Sequence, residues 1–291
     1  MTFKDPRKVL AQHGLRPKKS FSQNFLCSPH AVDAIAAAAV DGGPSLIETV
    51  VELGPGCGTL TAALLAQGVR VVAFEHDRDM LALLEREFTT DALQVRAGDA
   101  ATLKYRELAA ELGAPVAVVG NLPYAITGAI LRRLIEDYSA LKHAVIMIQR
   151  EVADRLVAPA GSSSYGALSV FSHNVFAVER VIKVPKTAFH PPPKVDSAVV
   201  KLTPRPQPLT PPDRAFAAVV HGAFQARRKT LRNALRQVPG LSDAIVASAT
   251  TATGIDPGLR GERLTVSDFG RLTAALSAAG GTPGEATEQA R

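Results

Sequence analysis

Four consecutive residues, Asn121-Leu122-Pro123-Tyr124, follow an apolar run at positions 116–120 that predicts a buried strand. A turn at the end of a strand leaves its polar groups free to meet a ligand. Asn121 and Leu122 offer carbonyl oxygens as hydrogen-bond acceptors, and Tyr124 offers an aromatic face. Together these groups suit one task, which is to hold a planar exocyclic amino group during a reaction. Pro-Tyr turns are common, so this interpretation depends on the rest of the chain.

A glycine turn lies earlier in the chain, between a predicted strand at 49–53 and a predicted helix at 60–67. Its residues are Gly54-Pro55-Gly56-Cys57-Gly58-Thr59. Glycine lets the backbone approach a ligand closely, and the helix start adds N–H donors. A dinucleotide-binding fingerprint would need glycine where Thr59 stands. With Glu52 the pattern is acidic-x-Gly-x-Gly-x-Gly, which is typical of adenosylmethionine-dependent methyltransferases.

Two acidic residues end the next two predicted strands. Glu75 ends the run that begins at Val69, where doubly wound folds place a carboxylate against ribose hydroxyls. Enzymes that use NAD share this feature, so Glu75 alone does not separate the two classes. Asp99 follows the run that begins at Leu93 and is suited to accept from an adenine amino group. Because strand ends form the ligand crevice of an open parallel sheet, we expect Glu75, Asp99 and Asn121 to meet there.

The element order predicts an α/β fold, namely a Rossmann-like class I methyltransferase sheet with a small C-terminal α-helical domain. The sheet is expected to be mostly parallel with seven strands, the last of them antiparallel. The predicted strands at 176–184 and 195–202 are joined by too short a loop for a parallel crossover. The expected domains are 1–205 with a basic N-terminal arm, 206–278 as an RNA-contacting helical domain after a proline-rich linker, and 279–291 as a disordered tail.

Composition indicates a cytoplasmic protein with a full hydrophobic core. The chain has 291 residues, of which 46% are apolar, and it contains no uncharged apolar run long enough to span a bilayer and no signal peptide. Its two cysteines, Cys27 and Cys57, lack zinc-site spacing, and its seven histidines form no HxxxH pair. We therefore expect no metal and no disulfide. A serine-hydrolase elbow is also absent from the sequence.

Basic residues suggest a polyanionic partner. The formal net charge is +6, and the positive residues concentrate in the first twenty positions and near position 230. Arg228, Arg232 and Arg236 are four residues apart, which predicts one helix face, with Leu231 and Leu235 packing beside it. The candidate partner-binding residues are Lys18, Lys19, Arg227, Arg228, Lys229, Arg232 and Arg236.

Several motifs taken together resemble the rRNA adenine dimethyltransferases, most closely the bacterial KsgA type that acts on small-subunit (16S) rRNA. The resemblance runs from Lys18 to Leu276. The matching segments are Ser22-Gln23-Asn24-Phe25-Leu26, residues 51–58, Gly98-Asp99-Ala100, Asn121 to Tyr124, residues 149–153, residues 189–195 and residues 227–233.

The resemblance implies S-adenosyl-L-methionine as methyl donor. It also implies dimethylation of N6 of two adjacent adenines in the 3′-terminal hairpin of 16S rRNA, linked to small-subunit biogenesis, by a monomer. By position, it assigns cofactor binding to Asn24, Leu26, Gly54, Gly56, Glu75, Asp99 and Asn121. It assigns catalysis to Asn121, Leu122, Pro123 and Tyr124, and stacking on the target base to Phe189. Two positions depart from the family: Ser22 replaces a usual glycine, and Ala125 replaces a usual asparagine.

Three other functions remain as alternatives. Resistance-type methylation of large-subunit rRNA is disfavoured by the long C-terminal region with its Arg-Arg-Lys-Thr-Leu-Arg-Asn run. A binding module that had lost catalysis is disfavoured because the Asn-Leu-Pro-Tyr turn and the acidic residues are intact. A nicotinamide oxidoreductase is disfavoured by Thr59 and by the lack of a hydride-transfer acid–base pair.

Overall fold

The computed structural model describes residues 3–18, 21–41, 47–226 and 228–285. Two of the candidate partner-binding residues, Lys19 and Arg227, therefore lie outside the described residues. The contacts between Cα atoms divide the chain into two compact units. The first contains residues 1–153 and 177–204, and the second contains residues 154–176 and 205–291.

The described residues form a seven-stranded sheet in the first unit and a separate two-stranded ladder. The strands are β1 (Phe25–Leu26), β2 (Thr49–Leu53), β3 (Arg70–Glu75), β4 (Leu93–Ala97), β5 (Val116–Asn121), β6 (Leu141–Gln149), β7 (Phe176–Val184), β8 (Phe189–His190) and β9 (Ser197–Pro204). The sheet order is β4-β3-β2-β5-β6-β9-β7. Strands β2 to β6 pair in parallel, whereas β9 is antiparallel to β6, so the last strand in the chain is antiparallel as predicted.

The helices of the described residues connect and cover these strands. They are α1 (Pro6–Gln12), α2 (Pro29–Val40), α3 (Thr59–Ala66), α4 (Arg78–Glu87), α5 (Tyr105–Leu112), α6 (Thr127–Glu136), α7 (Arg150–Val157), α8 (Ala167–Val175), α9 (Arg214–Gln225), α10 (Leu231–Leu235), α11 (Asp243–Thr253) and α12 (Val266–Ala278). Side chains of α2 and α3, such as Ile35 and Leu64, pack in one apolar cluster with Val50 and Val119 of the sheet. The central strands read as continuous apolar runs because a parallel sheet is covered on both faces. No helix of the described ranges is long and apolar enough to cross a bilayer.

The second unit is a helical bundle with its own core. Tyr165 and Val170 are buried in the same cluster as Phe216 and Phe269. The predicted domain boundary was therefore wrong for residues 154–176, which precede two strands of the sheet in the chain but bury their apolar side chains among the C-terminal helices.

The predicted basic helix and the predicted disordered tail also differ from the structure. Helix α9 ends at Gln225 and α10 begins only at Leu231, with Arg228 in the turn between them, so Arg228 does not share a helix face with Arg232 and Arg236. The Leu231 and Arg232 N–H groups instead donate to the carbonyls of Leu259 and Pro257, at 2.6 and 3.1 Å. The packing of Leu231 and Leu235 is confirmed, since both are fully buried.

The described part of the predicted tail is hydrogen-bonded. Thr282 N donates to Gly240 O at 3.2 Å, and Gly284 N donates to Pro239 O at 3.0 Å. Order therefore continues to residue 285, and the remaining residues of the predicted tail lie outside the described ranges.

Candidate active site

The polar strand ends meet around one cavity of about 320 Å³ in the first unit. Strands β3, β2 and β5 are neighbours or near neighbours in the sheet, so Glu75, the glycine turn and Asn121 come together at their carboxyl ends. Asp99, two residues beyond β4, joins them. The predicted site residues that line this cavity are Asn24, Leu26, Gly54, Gly56, Glu75, Asp99, Asn121, Leu122, Pro123 and Tyr124.

The glycine turn borders the cavity and adopts a backbone conformation that favours glycine. Gly54, Gly56 and Gly58 have φ values of 68°, 53° and 74°, a region that favours glycine. A Cβ atom on Gly56 would lie 2.8 Å from the Phe25 ring, whereas one on Gly54 would meet nothing within 4 Å. The residues present thus leave room beside Gly54 for a bound adenosyl group.

The Glu75 carboxylate holds this turn in place. Its Oε2 accepts from Gly56 N at 3.0 Å, and its Oε1 accepts from the N–H groups of His76 and Asp77, both at 2.8 Å. The Asp99 carboxylate makes fewer hydrogen bonds. Among the described residues it accepts only from Ala101 N, at 2.9 Å. Both carboxylates border the cavity, which fits hydrogen-bond acceptors for ribose hydroxyls and an adenine amino group.

The Asn121 to Tyr124 turn is held by four hydrogen bonds to four different residues. Leu122 N donates to Met147 O at 3.0 Å, and Thr127 Oγ1 donates to Pro123 O at 3.0 Å. The Tyr124 hydroxyl lies 2.9 Å from Ser197 Oγ, and burial raises the pKa of Tyr124. Asn121 donates its Nδ2 to Asn24 O at 2.9 Å. No donor to Asn121 Oδ1 is found in the described residues, so this oxygen is available as an acceptor.

Comparison with known proteins identifies the family. The profile of the family described as ribosomal RNA adenine dimethylase matches residues 14–276. The chain belongs to the ribosomal RNA adenine dimethylase family. It is an adenosylmethionine-dependent methyltransferase whose partner is ribosomal RNA, as the sequence predicted.

Curated relatives and solved structures of this family agree with that assignment. The chain is 43% identical over 279 residues to the ribosomal RNA small subunit methyltransferase A of Myxococcus xanthus, covering 94% of this chain and 96% of the relative. It is 44% identical over 285 residues to the protein of the same name from Anaeromyxobacter dehalogenans, covering 94% and 98%.

Two crystal structures share the fold. A dimethyladenosine transferase from Plasmodium falciparum is 25% identical with a TM-score of 0.74, covering 88% of this chain and 98% of that one. The 23S rRNA methyltransferase ErmE is 28% identical with a TM-score of 0.65, covering 87% and 100%. The predicted fold class is therefore confirmed.

Phe189, to which the family resemblance assigned stacking on the base, is not among the residues that line the cavity. Its side chain is only 5% exposed and belongs to the apolar cluster that contains Leu26, Val32 and Ile35. The cause is the β1–β8 ladder, in which Leu26 pairs with Phe189 and turns the ring into the core. In this position Phe189 packs behind the cavity wall, and its stacking on a bound base stays a prediction.

Lys18, predicted to contact the partner, is already paired. Its Nζ lies 2.6 Å from Asp77 Oδ1 and 2.7 Å from Asp79 Oδ2. The hydrogen bond to Asp77, and to a smaller extent the one to Asp79, raises the pKa of Lys18. The ammonium group is therefore paired with two carboxylates beside the cavity, while its side chain stays 36% exposed, and a phosphate contact by Lys18 stays a prediction.

The structure describes both positions at which the chain departs from the residues that are usual in the family. Ser22, which stands where the family usually has glycine, has a φ of 51°, in the left-handed region where glycine is favoured. Ala125 is exposed at the edge of the cavity.

Three residues of the site had no assigned role in the sequence-based prediction: Gln23, Glu52 and Asp77. The position of Asp77 could have been predicted as a helix N-cap, because an aspartate just before a helical run is typical of one. Asp77 does cap α4, where its side chain accepts from Asp79 N. Gln23 lies in a matched motif, but its partner is 54 residues away and leaves no trace in the sequence.

Glu52 is a buried carboxyl at the base of the cavity. It is 1% exposed, and Thr61 Oγ1 donates to its Oε2 at 2.7 Å. Burial raises the pKa of Glu52 to about 8, and the nearby Glu75 carboxylate adds to this, whereas the hydrogen bond from Thr61 opposes it. Glu52 is therefore a neutral acid at pH 7 in the folded protein.

This buried acid predicts a pH dependence of stability. Below about pH 4.5 Glu52 is protonated in both the folded and the unfolded chain, so it has no effect there. Between pH 4.5 and 8 only the unfolded chain releases the proton, so the free energy of unfolding falls with rising pH, by up to about 4 kcal/mol. Glu52→Gln keeps an acceptor for Thr61 and should remove this fall.

Urea denaturation of both proteins at pH 5, 7 and 8.5 measures the effect. The free energy of unfolding of Glu52→Gln, relative to that of the native chain, should increase with pH. A difference that stays constant with pH would contradict the raised pKa of Glu52 in the folded protein. Glu48→Gln, at an exposed glutamate just before the same strand, is the matched control and should leave the pH profile unchanged.

Potential metal ligands are not grouped in the described ranges, where no three His, Cys, Asp or Glu side chains come together as a metal site. Both cysteines are free thiols, Cys27 half-buried and Cys57 buried. Burial raises the pKa of Cys57 to about 12, so its thiol is protonated at neutral pH.

Proposed function

We propose that this protein dimethylates N6 of two adjacent adenines in the 3′-terminal hairpin of 16S rRNA, within the small ribosomal subunit or its precursor. We propose further that it acts as a monomer in the cytoplasm. The observation that carries the proposal is the Asn121 amide: its Nδ2 is committed to Asn24 O, which leaves Oδ1 for the amino group of a substrate. The relatives named as small-subunit enzymes, 43% and 44% identical, support the choice of RNA.

The turn at Asn121 would activate a poor nucleophile. The lone pair of adenine N6 is delocalised into the ring, so the amino group is planar and unreactive. Asn121 Oδ1 and the Leu122 carbonyl would accept its two N–H bonds and favour a pyramidal nitrogen. Such acceptors accelerate the reaction because they bind the transition state more strongly than the planar ground state. No strong general base is required, since the proton leaves after the nitrogen has become cationic.

The rest of the site would position the two reactants. Adenosylmethionine supplies an electrophilic methyl group on a sulfonium centre. Glu75 and Asp99 would bind the ribose and adenine of this molecule, and Asn24, Leu26, Gly54 and Gly56 would contact its remaining parts. Tyr124 would stack on the target base, a contact worth roughly 1–3 kcal/mol. Holding both reactants in line is itself a large part of catalysis.

An unpaired adenine is the favoured target in this mechanism. A base in a duplex would first have to be flipped out, at a cost of a few kcal/mol, whereas a loop base is already accessible. We therefore propose that the two target adenines are unpaired residues of the 3′-terminal hairpin.

A second candidate is methylation of large-subunit rRNA, because the chain also shares its fold with ErmE at 28% identity. Two features favour the small subunit. The relatives named for it are more similar to this chain, and the Arg-Arg-Lys-Thr-Leu-Arg-Asn run lies in the long second unit.

Mass spectrometry of treated rRNA tests the proposal. Unmodified small and large ribosomal subunits would be incubated separately with the protein and adenosylmethionine. We expect N6,N6-dimethyladenosine at two adjacent positions near the 3′ end of 16S rRNA and none in the large subunit. Product only in the large subunit would favour the second candidate. No product in either would favour a binding protein without catalysis.

The basic residues near position 230 should contribute unequally to RNA affinity. Arg228 is exposed in a turn, whereas the Nε atoms of Arg232 and Arg236 lie 3.5 and 2.9 Å from Asp243 Oδ1. If Arg228 meets a phosphate, Arg228→Ala should reduce the slope of log K against log[salt] by up to about 0.9. Arg236→Ala should reduce it less, since that charge is partly neutralised.

Asp243→Asn provides the opposite change and should strengthen RNA binding. The measurement is the affinity for a 16S 3′ hairpin at several salt concentrations. Equal losses for Arg228→Ala and Arg236→Ala, with no gain for Asp243→Asn, would contradict the unequal contribution, and an unchanged salt slope in both arginine variants would argue against this surface as the RNA contact. Lys229, which is exposed beside Arg228, should behave as Arg228 does.

A further inference from the structure

The Asn121 amide can be used in only one of its two orientations. Its oxygen and nitrogen ends are nearly equal in shape, so the hydrogen-bond partners decide which end faces the cavity. Here the partner is a backbone carbonyl, Asn24 O, at 2.9 Å from Asn121 Nδ2. A carbonyl accepts but cannot donate, so it selects the orientation with Oδ1 turned away from it. The orientation of the Asn121 amide therefore depends on where the chain at Asn24 is held.

The chain at Asn24 is held by its own hydrogen bonds. The Asn24 Nδ2 group donates to Ser22 O at 2.9 Å, and Ser22 itself has a left-handed φ of 51°. On the other side, Phe25 and Leu26 pair with β8. These contacts set the local conformation around Asn24 but do not attach residues 22–24 to the strand ends that form the cavity.

A buried carboxylate makes that attachment. Asp77, whose side chain is 2% exposed, accepts from Lys18 Nζ at 2.6 Å and from Gln23 Nε2 at 2.8 Å. Gln23 Oε1 in turn accepts from Lys18 N at 2.8 Å, which closes a ring of hydrogen bonds. Burial alone would raise the pKa of Asp77, but the hydrogen bonds from Lys18, Asp79 N and Gln23 outweigh it and lower that pKa.

We infer that Lys18, Gln23 and Asp77 form a latch that positions the Asn121 amide for methyl transfer through the carbonyl of Asn24. The latch connects the end of β3, beside the adenosyl-binding residues, to the end of β5, where the reaction takes place. Its three members are positioning residues, because none needs to touch the base or the methyl group. The inference rests on the proposed role of Asn121.

A purely structural role for the same contacts makes a different prediction. Asp77 is also the N-cap of α4, and a surface ion pair such as Lys18–Asp79 contributes little to stability. If the contacts served only to hold the arm, breaking them would lower stability or cofactor affinity and leave the rate of the chemical step intact.

Single-turnover methylation separates the two roles. Gln23→Leu removes both side-chain hydrogen bonds of Gln23 and leaves the N-cap at Asp77 in place. We expect it to slow the chemical step roughly tenfold, as small misplacements of a reacting group do, with adenosylmethionine affinity changed much less. Lys18→Met should act in the same direction, and Lys18→Arg should restore most of the rate.

Lys4→Met is the matched control. Lys4 pairs with Glu87 at 2.7 Å, an ion pair of the same kind in the same N-terminal segment, but it forms no hydrogen bond or ion pair with Gln23 or Asn24. We expect its rate to stay within about twofold of the native value. A tenfold loss in Lys4→Met as well would mean that any loosening of the N-terminal segment slows the reaction, and would overturn the specific role of the latch.

A double-mutant cycle with Asn121→Ala decides the mechanism. If the latch acts by orienting the amide, Gln23→Leu should have no further effect on the rate once the amide is gone. If the two losses multiply, the latch acts elsewhere and the inference fails. If Asn121→Ala alone leaves the rate unchanged, the proposed role of Asn121 fails instead, so the two failures are distinguishable.

Discussion

Replacing Asn121 with alanine is expected to slow methyl transfer by roughly a hundredfold or more, with little change in RNA affinity. The lost acceptor matters most when N6 turns pyramidal and its N–H bonds become more acidic, which is in the transition state rather than in the bound complex. The measurement is the single-turnover rate constant with RNA and adenosylmethionine both saturating, together with the dissociation constant of the RNA.

A control variant in the same turn separates chemistry from folding. Thr127→Val removes the hydrogen bond from Thr127 Oγ1 to Pro123 O, which supports the turn without facing the substrate. It should cost stability and leave most of the rate. A fall in RNA binding by Asn121→Ala, with the single-turnover rate preserved, would show that Asn121 is a structural residue of the turn.

The second large effect is expected at Glu75. Both Glu75→Ala and Asp99→Ala should weaken adenosylmethionine binding by about 1.5–3 kcal/mol, the range for hydrogen bonds to charged groups. The structure adds a difference between them. Glu75 accepts from three backbone N–H groups, whereas the Asp99 side chain accepts from one. Glu75→Ala should therefore also lower the stability of the protein without cofactor by at least about 2 kcal/mol, clearly more than Asp99→Ala does.

Calorimetric titration and thermal denaturation of the cofactor-free variants test this pair. Equal loss of stability in both variants would mean that Glu75 does not hold the glycine turn. Unchanged adenosylmethionine affinity in both variants would contradict the proposal that Glu75 and Asp99 bind the adenosyl group. NADH should not bind to the native protein.

The parts of the fold that follow local patterns were predictable from the sequence. The apolar run at 49–53 and the glycine turn after it correspond to β2 and the start of α3, and Asn121 is the last residue of β5. Parallel strands then bring their carboxyl ends to one edge, so the meeting of Glu75, Asp99 and Asn121 follows from the order of the elements.

Features that depend on distant partners were not predictable. The β1–β8 ladder joins two pairs of residues that are far apart in the chain, too short for any periodicity, and it buries Phe189. The four-residue spacing of the arginines predicted a helix through Arg228. In the structure the N–H groups of Leu231 and Arg232 donate to the carbonyls of Leu259 and Pro257, and α10 begins only at Leu231, after Arg228. Lys18 carries the same charge whether it meets a phosphate or Asp77, so only the folded chain shows which it meets.

The division of the second unit has a consequence for synthesis of the chain. Residues 154–176 emerge from the ribosome before β7 and β9 are complete, whereas the helices that cover Tyr165 and Val170 are made last. A product that stops near residue 205 would contain every strand of the sheet and still expose this apolar segment in its middle. Such segments promote aggregation. Truncated chains of this protein should therefore aggregate even though their sheet is complete, and no single cut can release either unit as a finished domain.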